Sequence, residues 1–290
     1  MADKKRARKE NRSTTFFVDD TCIDCGTCYW MEPRIFVHDS GMSATVDHEY
    51  SKEMIQSGHR ALLSCPTNSI GYLQRPDGIS LNDITFPHLI NENIYHCGHH
   101  SRSSFGATSY FIKCESGNIL IDSPQFIKKL TNKFESLGGI SYQALTHKDD
   151  IADTNLYHQQ FTTKRAIHSD DLTAKLSEVE IELTDEDYWI TDELLSIHVP
   201  GHTKGHVCFL YKNKYLFTGD HLAYSRSMGH LYAFVNHCWY DLKTQYSSLE
   251  KLLNYDFEYV LPGHSAPFST DAKSMKKEME KMLKWVKSKI

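Results

Sequence analysis

The fold is decided by the stretch Ile197-His-Val-Pro-Gly-His202-Thr-Lys-Gly-His206, in which an apolar run ends in a glycine followed by a histidine. Three further apolar runs end in a histidine or an aspartate. They are Ala144-Leu-Thr-His147, Tyr215-Leu-Phe-Thr-Gly-Asp220 and Tyr259-Val-Leu-Pro-Gly-His264. Open α/β sheets place ligands beyond the carboxyl ends of their strands, and glycine lets the backbone turn sharply there. Four such ends predict one metal site built from several strands.

Around these motifs, short β-branched or aromatic runs alternate with helical patterns. The apolar runs are continuous, which predicts strands that are buried on both faces. Strands are expected near residues 108–113, 119–121, 142–145, 194–198, 207–211, 215–217 and 259–261. Helices are expected after Pro124, Asp153 and Asp241, and a core-packed amphipathic helix is expected at the end of the chain.

In this order the four motifs resemble the metallo-β-lactamase superfamily, in particular its glyoxalase II-like branch, from about residue 90 to the end. The resemblance implies an α+β fold, an αββα sandwich with metal ions between the sheet edges. Gly117-Asn-Ile-Leu-Ile-Asp122-Ser is similar to the family's early strand pair. At that position we expect Asp122 to be a buried carboxylate that supports a ligand, not a ligand itself.

The first motif departs from the family pattern. The superfamily has His-x-His-x-Asp-His, whereas this chain has His147-Lys-Asp149-Asp150-Ile-Ala-Asp153-Thr154. Asp149 replaces the second histidine. The closing Asp-His pair is either broken at Ile151-Ala152 or displaced to Asp153-Thr154 by a two-residue insertion, and its histidine is missing in both alignments.

The resemblance implies ligands for two metal ions. The implied ligands are His147, Asp149, His202 and the bridging Asp220 for one ion, and Asp153, Asp220 and His264 for a second. Asp150 competes with Asp153 for the second ion. Whichever of the two binds no metal is expected to be the catalytic proton shuttle or an ordinary acid at a helix N-terminus.

Carboxylates in place of imidazoles harden this ligand set and lower its positive charge, so iron and manganese compete better with zinc. Zinc also accepts aspartate, and metal availability often overrides ligand preference. The cofactor expected in this domain is one or two divalent metal ions, with zinc, iron and manganese as the alternatives.

The N-terminal part contains Cys22-Ile-Asp-Cys25-Gly-Thr-Cys28 and, much later, Cys65-Pro66. A C-x2-C-x2-C run with a distant Cys-Pro is typical of a [4Fe–4S] cluster, and no second triad precedes Cys65. Roughly residues 15 to 80 therefore resemble a single-cluster bacterial ferredoxin, with these four cysteines holding one cluster. The alternative is a structural zinc site, although such sites usually pair two C-x2-C knuckles.

The expected organisation is a basic disordered tail at residues 1–14, a ferredoxin-like domain at 15–80 and a metallo-β-lactamase-fold domain at 85–290. The tail holds six basic side chains, and Gln74-Arg-Pro-Asp-Gly78 has the composition of a turn-rich linker. The net charge of −5 gives no reason to expect nucleic acid as a partner. No apolar run reaches the roughly 18 residues of a membrane span. Together with the cluster cysteines, this predicts a cytoplasmic protein.

Three functions remain open. The resemblance favours a metal-dependent hydrolase that attacks a small ester- or thioester-type substrate with metal-activated water. The attached ferredoxin-like domain favours an iron-dependent oxidoreductase, similar to flavodiiron proteins or persulfide dioxygenases, that receives electrons from its own cluster or a redox partner. Persulfide dioxygenases hold one iron through residues that match His147, His202 and Asp220. The third hypothesis is an iron–sulfur redox sensor joined to a binding module.

Overall fold

The computed structural model describes residues 2–47, 49–76 and 80–290. Its N-terminal part contains two β-ribbons and two α-helices. These elements are β1 (Phe16–Val18), α1 (Thr27–Met31), β2 (Phe36–Asp39), β3 (Met42–Thr45), α2 (Lys52–Ser64) and β4 (Ile70–Tyr72). Strand β1 pairs with β4 and β2 pairs with β3, both antiparallel. A fully buried core lies between these elements and includes Phe16, Ile35, Phe36 and Ala61.

The basic N-terminal segment is folded, so the expectation of a disordered tail at 1–14 is wrong for the residues described there. Ala7 forms a β-bridge with Asp19. The Arg8 guanidinium donates hydrogen bonds to the backbone carbonyls of Ser43 and Asp39, at 2.7 and 2.9 Å. The charge pattern alone missed this because the acceptors are backbone carbonyls more than thirty residues away. The expected linker at 74–78 lies partly outside the described residues, and the domain boundaries there stay a prediction.

A seven-stranded sheet begins the larger part of the molecule. Its strands are β5 (His88–Asn91), β6 (Ile94–His96), β7 (Tyr110–Ile112), β8 (Ile119–Ile121), β9 (Tyr142–Ala144), β10 (Lys164–His168) and β11 (Ile181–Leu183). Neighbours in the sheet follow the order of the chain. The pairs from β5 to β8 are antiparallel, whereas the pairs from β8 to β11 are parallel.

A six-stranded sheet faces the first one. Its strands are β12 (Tyr188–Thr191), β13 (Leu194–His198), β14 (Val207–Tyr211), β15 (Tyr215–Gly219), β18 (Tyr259–Pro262) and β19 (Phe268–Ser269), in that order. The two intervening strands, β16 (Leu222–Ser225) and β17 (His230–Ala233), form a separate antiparallel ribbon. All residues of β14 and β15 are buried, as the continuous apolar runs predict.

The helices cover the outer faces of the two sheets. They are α3 (Lys128–Ser136), α4 (Thr154–Phe161), α5 (Leu242–Lys251) and α6 (Ala272–Lys287). Phe134 and Tyr157 join α3 and α4 to the first sheet through one core, and Leu249 and Met279 join α5 and α6 to the second through another. A third core fills the space between the sheets. The expected αββα sandwich is therefore present.

Local sequence explains where several of these helices begin. Asp241 and Asp271 precede α5 and α6, and each side chain accepts a hydrogen bond from a backbone N–H in the first turn. Helices were expected after Pro124, Asp153 and Asp241, and all three are present. No helix in the described part of the chain is long and apolar enough to cross a membrane.

Candidate metal centre

The four strand ends converge, as their sequence pattern predicts. His147 follows β9, His202 follows β13, Asp220 follows β15 and His264 follows β18. Ligand atoms of His147, His202 and Asp220 all lie within 4.8 Å of one another. The carboxylate of Asp149 lies 3.9 Å from His147 Nε2 and 3.6 Å from His202 Nε2, so it completes a group of four.

Asp220 connects two halves of the site. Its Oδ2 lies 3.9 Å from Nε2 of both His147 and His202, while its Oδ1 lies 2.7 Å from His264 Nδ1. Burial alone would raise the pKa of Asp220, but His264, His147 and His202 hold it below its usual range. The two oxygens therefore face two separate groups of side chains, as those of a bridging carboxylate would.

Asp150 adds a buried carboxylate to the half of the site that contains His264. Its Oδ2 has no hydrogen-bond partner among the described residues and lies 3.9 Å from His147 Nδ1. A Cβ atom on Gly263 would lie 3.2 Å from this oxygen and 2.8 Å from Asp220 Oδ1, so only glycine leaves room for both carboxylates. Burial, together with repulsion from Asp220 and Asp122, raises the pKa of Asp150.

Asp153 is not brought into this group, which corrects the ligand expectation. It immediately precedes α4, and its Oδ2 accepts a hydrogen bond from the Phe126 N–H at 2.8 Å. Its backbone carbonyl accepts hydrogen bonds from the first turn of the helix, but its side chain makes no capping bond. Of the two competing aspartates, Asp150 is therefore the one at the site, because the turn after His147 directs it inward.

The donor set fits a metal ion because several of its buried polar atoms have no partner among the described residues. These atoms are Nε2 of His147, both ring nitrogens of His202 and Oδ2 of Asp150. A tetrahedral zinc ion holds its ligands about 3.3 Å apart. The observed separations between carboxylate oxygens and imidazole nitrogens are 3.6 to 3.9 Å, and small side-chain movements would bring them to that value. A divalent cation would also offset the repulsion between Asp150 and Asp220.

Asp122 is a buried carboxylate that reaches His147 through a threonine. Its carboxylate accepts hydrogen bonds from the N–H of Thr146 at 2.8 Å and from the Thr146 hydroxyl, whose oxygen lies 3.0 Å from His147 Nδ1. Burial raises the pKa of Asp122 to about 7. This chain of contacts fixes the orientation of the His147 ring and leaves its Nε2 free for a metal.

Asp171 supports His202, and sequence reasoning missed it. This fully buried carboxylate accepts hydrogen bonds from the Thr203 hydroxyl at 2.5 Å and from the backbone N–H groups of Gly205 and Lys148, both at 3.2 Å. It therefore joins the loop that carries His202 to the loop that follows His147. One feature of the sequence could have identified it: Asp171 follows strand β10 by three residues, so it is a further aspartate just beyond a strand.

The four predicted cluster cysteines form a second candidate site in the N-terminal part. All are free, and Cys28 is fully buried. Burial raises the pKa of Cys25 to about 11, with a smaller contribution from repulsion by Cys65 and Cys22. Backbone N–H groups already donate to two of the sulfurs, from Asp24 to Cys22 and from Ser69 to Cys65. Cys22, Cys25 and Cys65 are half-buried, and their sulfurs are near enough for Cys65 and Cys22 to repel Cys25. Such a group fits a bound metal cluster, whose charge would stabilise the thiolates.

Aromatic side chains border the candidate metal centre. Trp239 lies 6.3 Å from the ring of His202, and Phe105 and Phe234 lie 6.2 and 6.5 Å from that of His264. Trp239 is 65% exposed and Phe105 is 53% exposed, so neither belongs to the core. These rings form an apolar border around the solvent-facing side of the site.

Comparison with known protein families agrees with both parts of the chain. Residues 18–72 match the family model described as the 4Fe-4S single cluster domain of ferredoxin I, and residues 141–264 match that of the metallo-beta-lactamase superfamily. The lactamase-like protein aptB of Emericella nidulans is 25% identical over 174 residues, which cover 56% of this chain and 52% of aptB. A hydroxyacylglutathione hydrolase of Pelagibacter ubique is 39% identical over 51 residues, 17% of this chain and 21% of that protein.

The chain thus spans about half of the first relative and a fifth of the second. Among solved structures, VMB-1 superposes with a TM-score of 0.52 at 17% identity, covering 69% of this chain and 96% of VMB-1. The DIM-1 metallo-beta-lactamase superposes with a TM-score of 0.52 at 14% identity, covering 68% of this chain and 95% of its own. At such identities the likeness shows the fold alone.

Proposed function

The chain carries a metallo-β-lactamase superfamily domain behind a single-cluster iron–sulfur domain, and we propose that it is a metal-dependent hydrolase of a small ester or thioester. The observation that carries this proposal is the convergence of His147, Asp149, His202 and Asp220 with buried nitrogens that lack a partner among the described residues. Asp150, Asp220 and His264 offer a second position beside them.

A divalent ion at such a site polarises a carbonyl and lowers the pKa of water, which is the chemistry that hydrolysis needs. The residues of this chain supply the rest. Asp149 has a side chain that is 47% exposed, so it marks the side from which substrate enters. If an ion fills only the first position, Asp150 is not a ligand, and its burial beside the ligands and its raised pKa suit it to accept and return the proton of the attacking water. Trp239 and Phe105 would contact the apolar part of a substrate.

A second candidate function has an observation of its own. Cys25 lies in contact with Gly106, and the neighbouring Phe105 contacts His264. An iron–sulfur cluster would therefore lie close to the metal centre, as an iron-dependent oxidoreductase requires. The carboxylate-rich ligand set also favours iron more than a set of imidazoles would.

The two functions can be separated by metal analysis of protein purified without oxygen. Iron, zinc, manganese and acid-labile sulfide are counted in the wild type, His202→Ala and Cys25→Ala, with His158→Ala on α4 as the control histidine. A hydrolase predicts about four irons with four sulfides, plus zinc that is lost only in His202→Ala. It also predicts thioester hydrolysis that survives loss of the cluster in Cys25→Ala.

An oxidoreductase predicts about five or six irons, with the excess over the cluster lost in His202→Ala. Unchanged metal content in His202→Ala would refute the assignment of the metal centre under both functions. Hydrolysis that is lost equally in His158→Ala and His202→Ala would show that the assay reports folding and not the site.

A further inference from the structure

The loop that contains Phe105 and Gly106 lies between the cysteines and the candidate metal centre. Gly106 has a φ of +85°, and a Cβ atom there would lie 2.9 Å from both Cβ and Sγ of Cys25. It would also lie 3.1 Å from Pro66, the residue after Cys65. Only glycine permits this approach, so the backbone of Gly106 is in direct contact with two cluster-bearing segments.

Hydrogen bonds hold this contact in place. Sγ of Cys25 lies 3.4 Å from the Thr27 hydroxyl oxygen, and the Thr27 hydroxyl donates to the Gly106 carbonyl at 3.2 Å. Nδ1 of the buried His100 lies 2.8 Å from the same carbonyl. The loop is therefore attached to the N-terminal part through its backbone, and Thr27 connects Cys25 to Gly106.

The other end of the loop is attached to the metal centre. The carbonyl oxygen of Phe105 lies 3.4 Å from Nε2 of His264, and their rings are 6.2 Å apart. The N–H of Thr108 donates to the carbonyl of Gly263 at 2.6 Å. One peptide unit, Phe105–Gly106, thus contacts a cysteine on one side and a histidine of the metal centre on the other.

We propose that the Phe105–Gly106 peptide is the route by which single electrons pass between an iron–sulfur cluster at Cys25 and a metal ion at His264. Followed along bonds and contacts, the route from Cys25 Sγ to His264 Nε2 is no longer than about 12 Å. This inference rests on the second of the two candidate functions, because it needs a redox-active metal such as iron in the centre.

The step is a simple one-electron transfer. A one-electron donor, such as dithionite in a test or a reduced flavin or ferredoxin in a cell, reduces the cluster. A cluster held by Cys22, Cys25, Cys28 and Cys65 would then return to its oxidised state by giving one electron to Fe³⁺ held at the metal centre, which would become Fe²⁺. No bond forms or breaks. The role of this chain is to hold the two ends of the route in contact.

The main test compares Gly106→Ala with Gly41→Ala in anaerobic, fully iron-loaded protein. Both glycines have positive φ, +85° and +78°, but a Cβ on Gly41 would meet none of the residues that the structure describes within 4 Å. Alanine therefore adds similar backbone strain at both sites and separates Cys25 from the loop only at position 106. The cluster is reduced by a flash-generated donor while the centre holds Fe³⁺, and reoxidation of the cluster is followed by visible absorption.

We expect reoxidation to slow severalfold in Gly106→Ala and to match the wild type in Gly41→Ala. The midpoint potential of the cluster is measured in each protein, so that a changed driving force is recognised. Equal rates in Gly106→Ala and the wild type, at unchanged potentials, would overturn the proposal. Thr27→Val, which removes the hydroxyl contact with Gly106, should slow reoxidation as well, and Thr27→Ser should restore it.

An independent measurement keeps the inference separate from the proposed function and from folding defects. The metal centre is loaded with paramagnetic Co²⁺ or diamagnetic Zn²⁺, and the electron paramagnetic resonance signal of the reduced cluster is recorded. A route of this length keeps the cluster close to the metal centre. We therefore expect Co²⁺ in the metal centre to broaden the signal of the cluster, and Zn²⁺ to leave it unchanged. If Co²⁺ is bound and no broadening occurs, the route is refuted while the metal site stands. If no Co²⁺ is bound, the proposed metal site fails and the route fails with it.

Discussion

Asp171 is the carboxylate on which the position of His202 depends, and Asp171→Asn tests that dependence. Its Oδ2 accepts hydrogen bonds from the Lys148 N–H and the Thr203 hydroxyl, and its Oδ1 accepts one from the Gly205 N–H. Asparagine has the same shape but carries an NH₂ group in place of one oxygen. In either orientation, one of the two backbone N–H groups then faces a donor and loses its acceptor.

Because Asp171 is fully buried, water cannot replace the lost acceptor. A buried donor without a partner costs about 1–3 kcal/mol, and we expect the free energy of unfolding of the metal-free protein to fall by that amount. Thr203 and Gly205 flank the loop of His202 on its C-terminal side. Loss of a residue that orients a ligand weakens metal binding by about 10- to 100-fold, and the same loss is expected here.

Urea unfolding of the metal-free protein measures the first effect, and competition with a chromophoric chelator measures the second. Asp170→Asn is the matched control, because this neighbouring aspartate is 32% exposed and contacts Lys204 on the surface. Solvent screens such a pair, so little change is expected in either quantity. The reasoning is refuted if Asp171→Asn binds metal as tightly as the wild type, or if Asp170→Asn reproduces both effects.

Burial lowers the pKa of His100 to about 3 and that of His99 to about 4, whereas unfolded histidine titrates near 6.5. As the pH falls, the unfolded chain therefore binds protons at these two histidines before the folded chain does. Below pH 6.5 the free energy of unfolding should fall by up to about 1.4 kcal/mol per pH unit for each histidine. A urea midpoint that stays constant from pH 7 to 5 would contradict this. Arg8→Ala should lower the free energy of unfolding by about 2 kcal/mol, because two partly buried carbonyls lose a charged donor. Unchanged thermal unfolding would show that this contact of the N-terminal segment contributes nothing to stability. Asp150→Asn should stabilise the metal-free protein, because it removes a carboxyl whose ionised form burial and repulsion from Asp220 disfavour, and it should weaken metal binding. A loss of both stability, in urea unfolding, and metal affinity, in metal titration, would refute the electrostatic explanation.

Sequence reasoning was most successful where one local pattern fixes both the element and the position of a side chain. The runs that end in His147, His202, Asp220 and His264 predicted strands, and these strands are present with their ends together. A residue just beyond a strand has little freedom, because its position is fixed by the direction of the strand and by any glycine that lies between the strand and the residue. The seven expected strands are all present, with bounds that differ by no more than two residues.

Sequence reasoning was least successful where a contact joins distant parts of the chain. The choice between Asp150 and Asp153 depended on the turn after His147 and on the Phe126 N–H that holds Asp153. Strand β10 begins with Lys164 and Arg165, so it lacks the continuous apolar run of the predicted strands. This strand forms because it pairs with two parallel strands, β9 and β11, and the local sequence does not specify that pairing.

The sequence by itself therefore determined the order of the strands, the cysteine spacing of one candidate site and the strand-end side chains of the other, because each depends on neighbours along the chain. Only the tertiary structure decided that Asp171 holds the loop of His202 and that a single peptide unit, Phe105–Gly106, connects Cys25 with His264. The contacts of this peptide unit join residues that lie about eighty and one hundred and sixty positions apart. Such pairs come together through the packing of sheets and loops, and no local periodicity in the sequence predicts them.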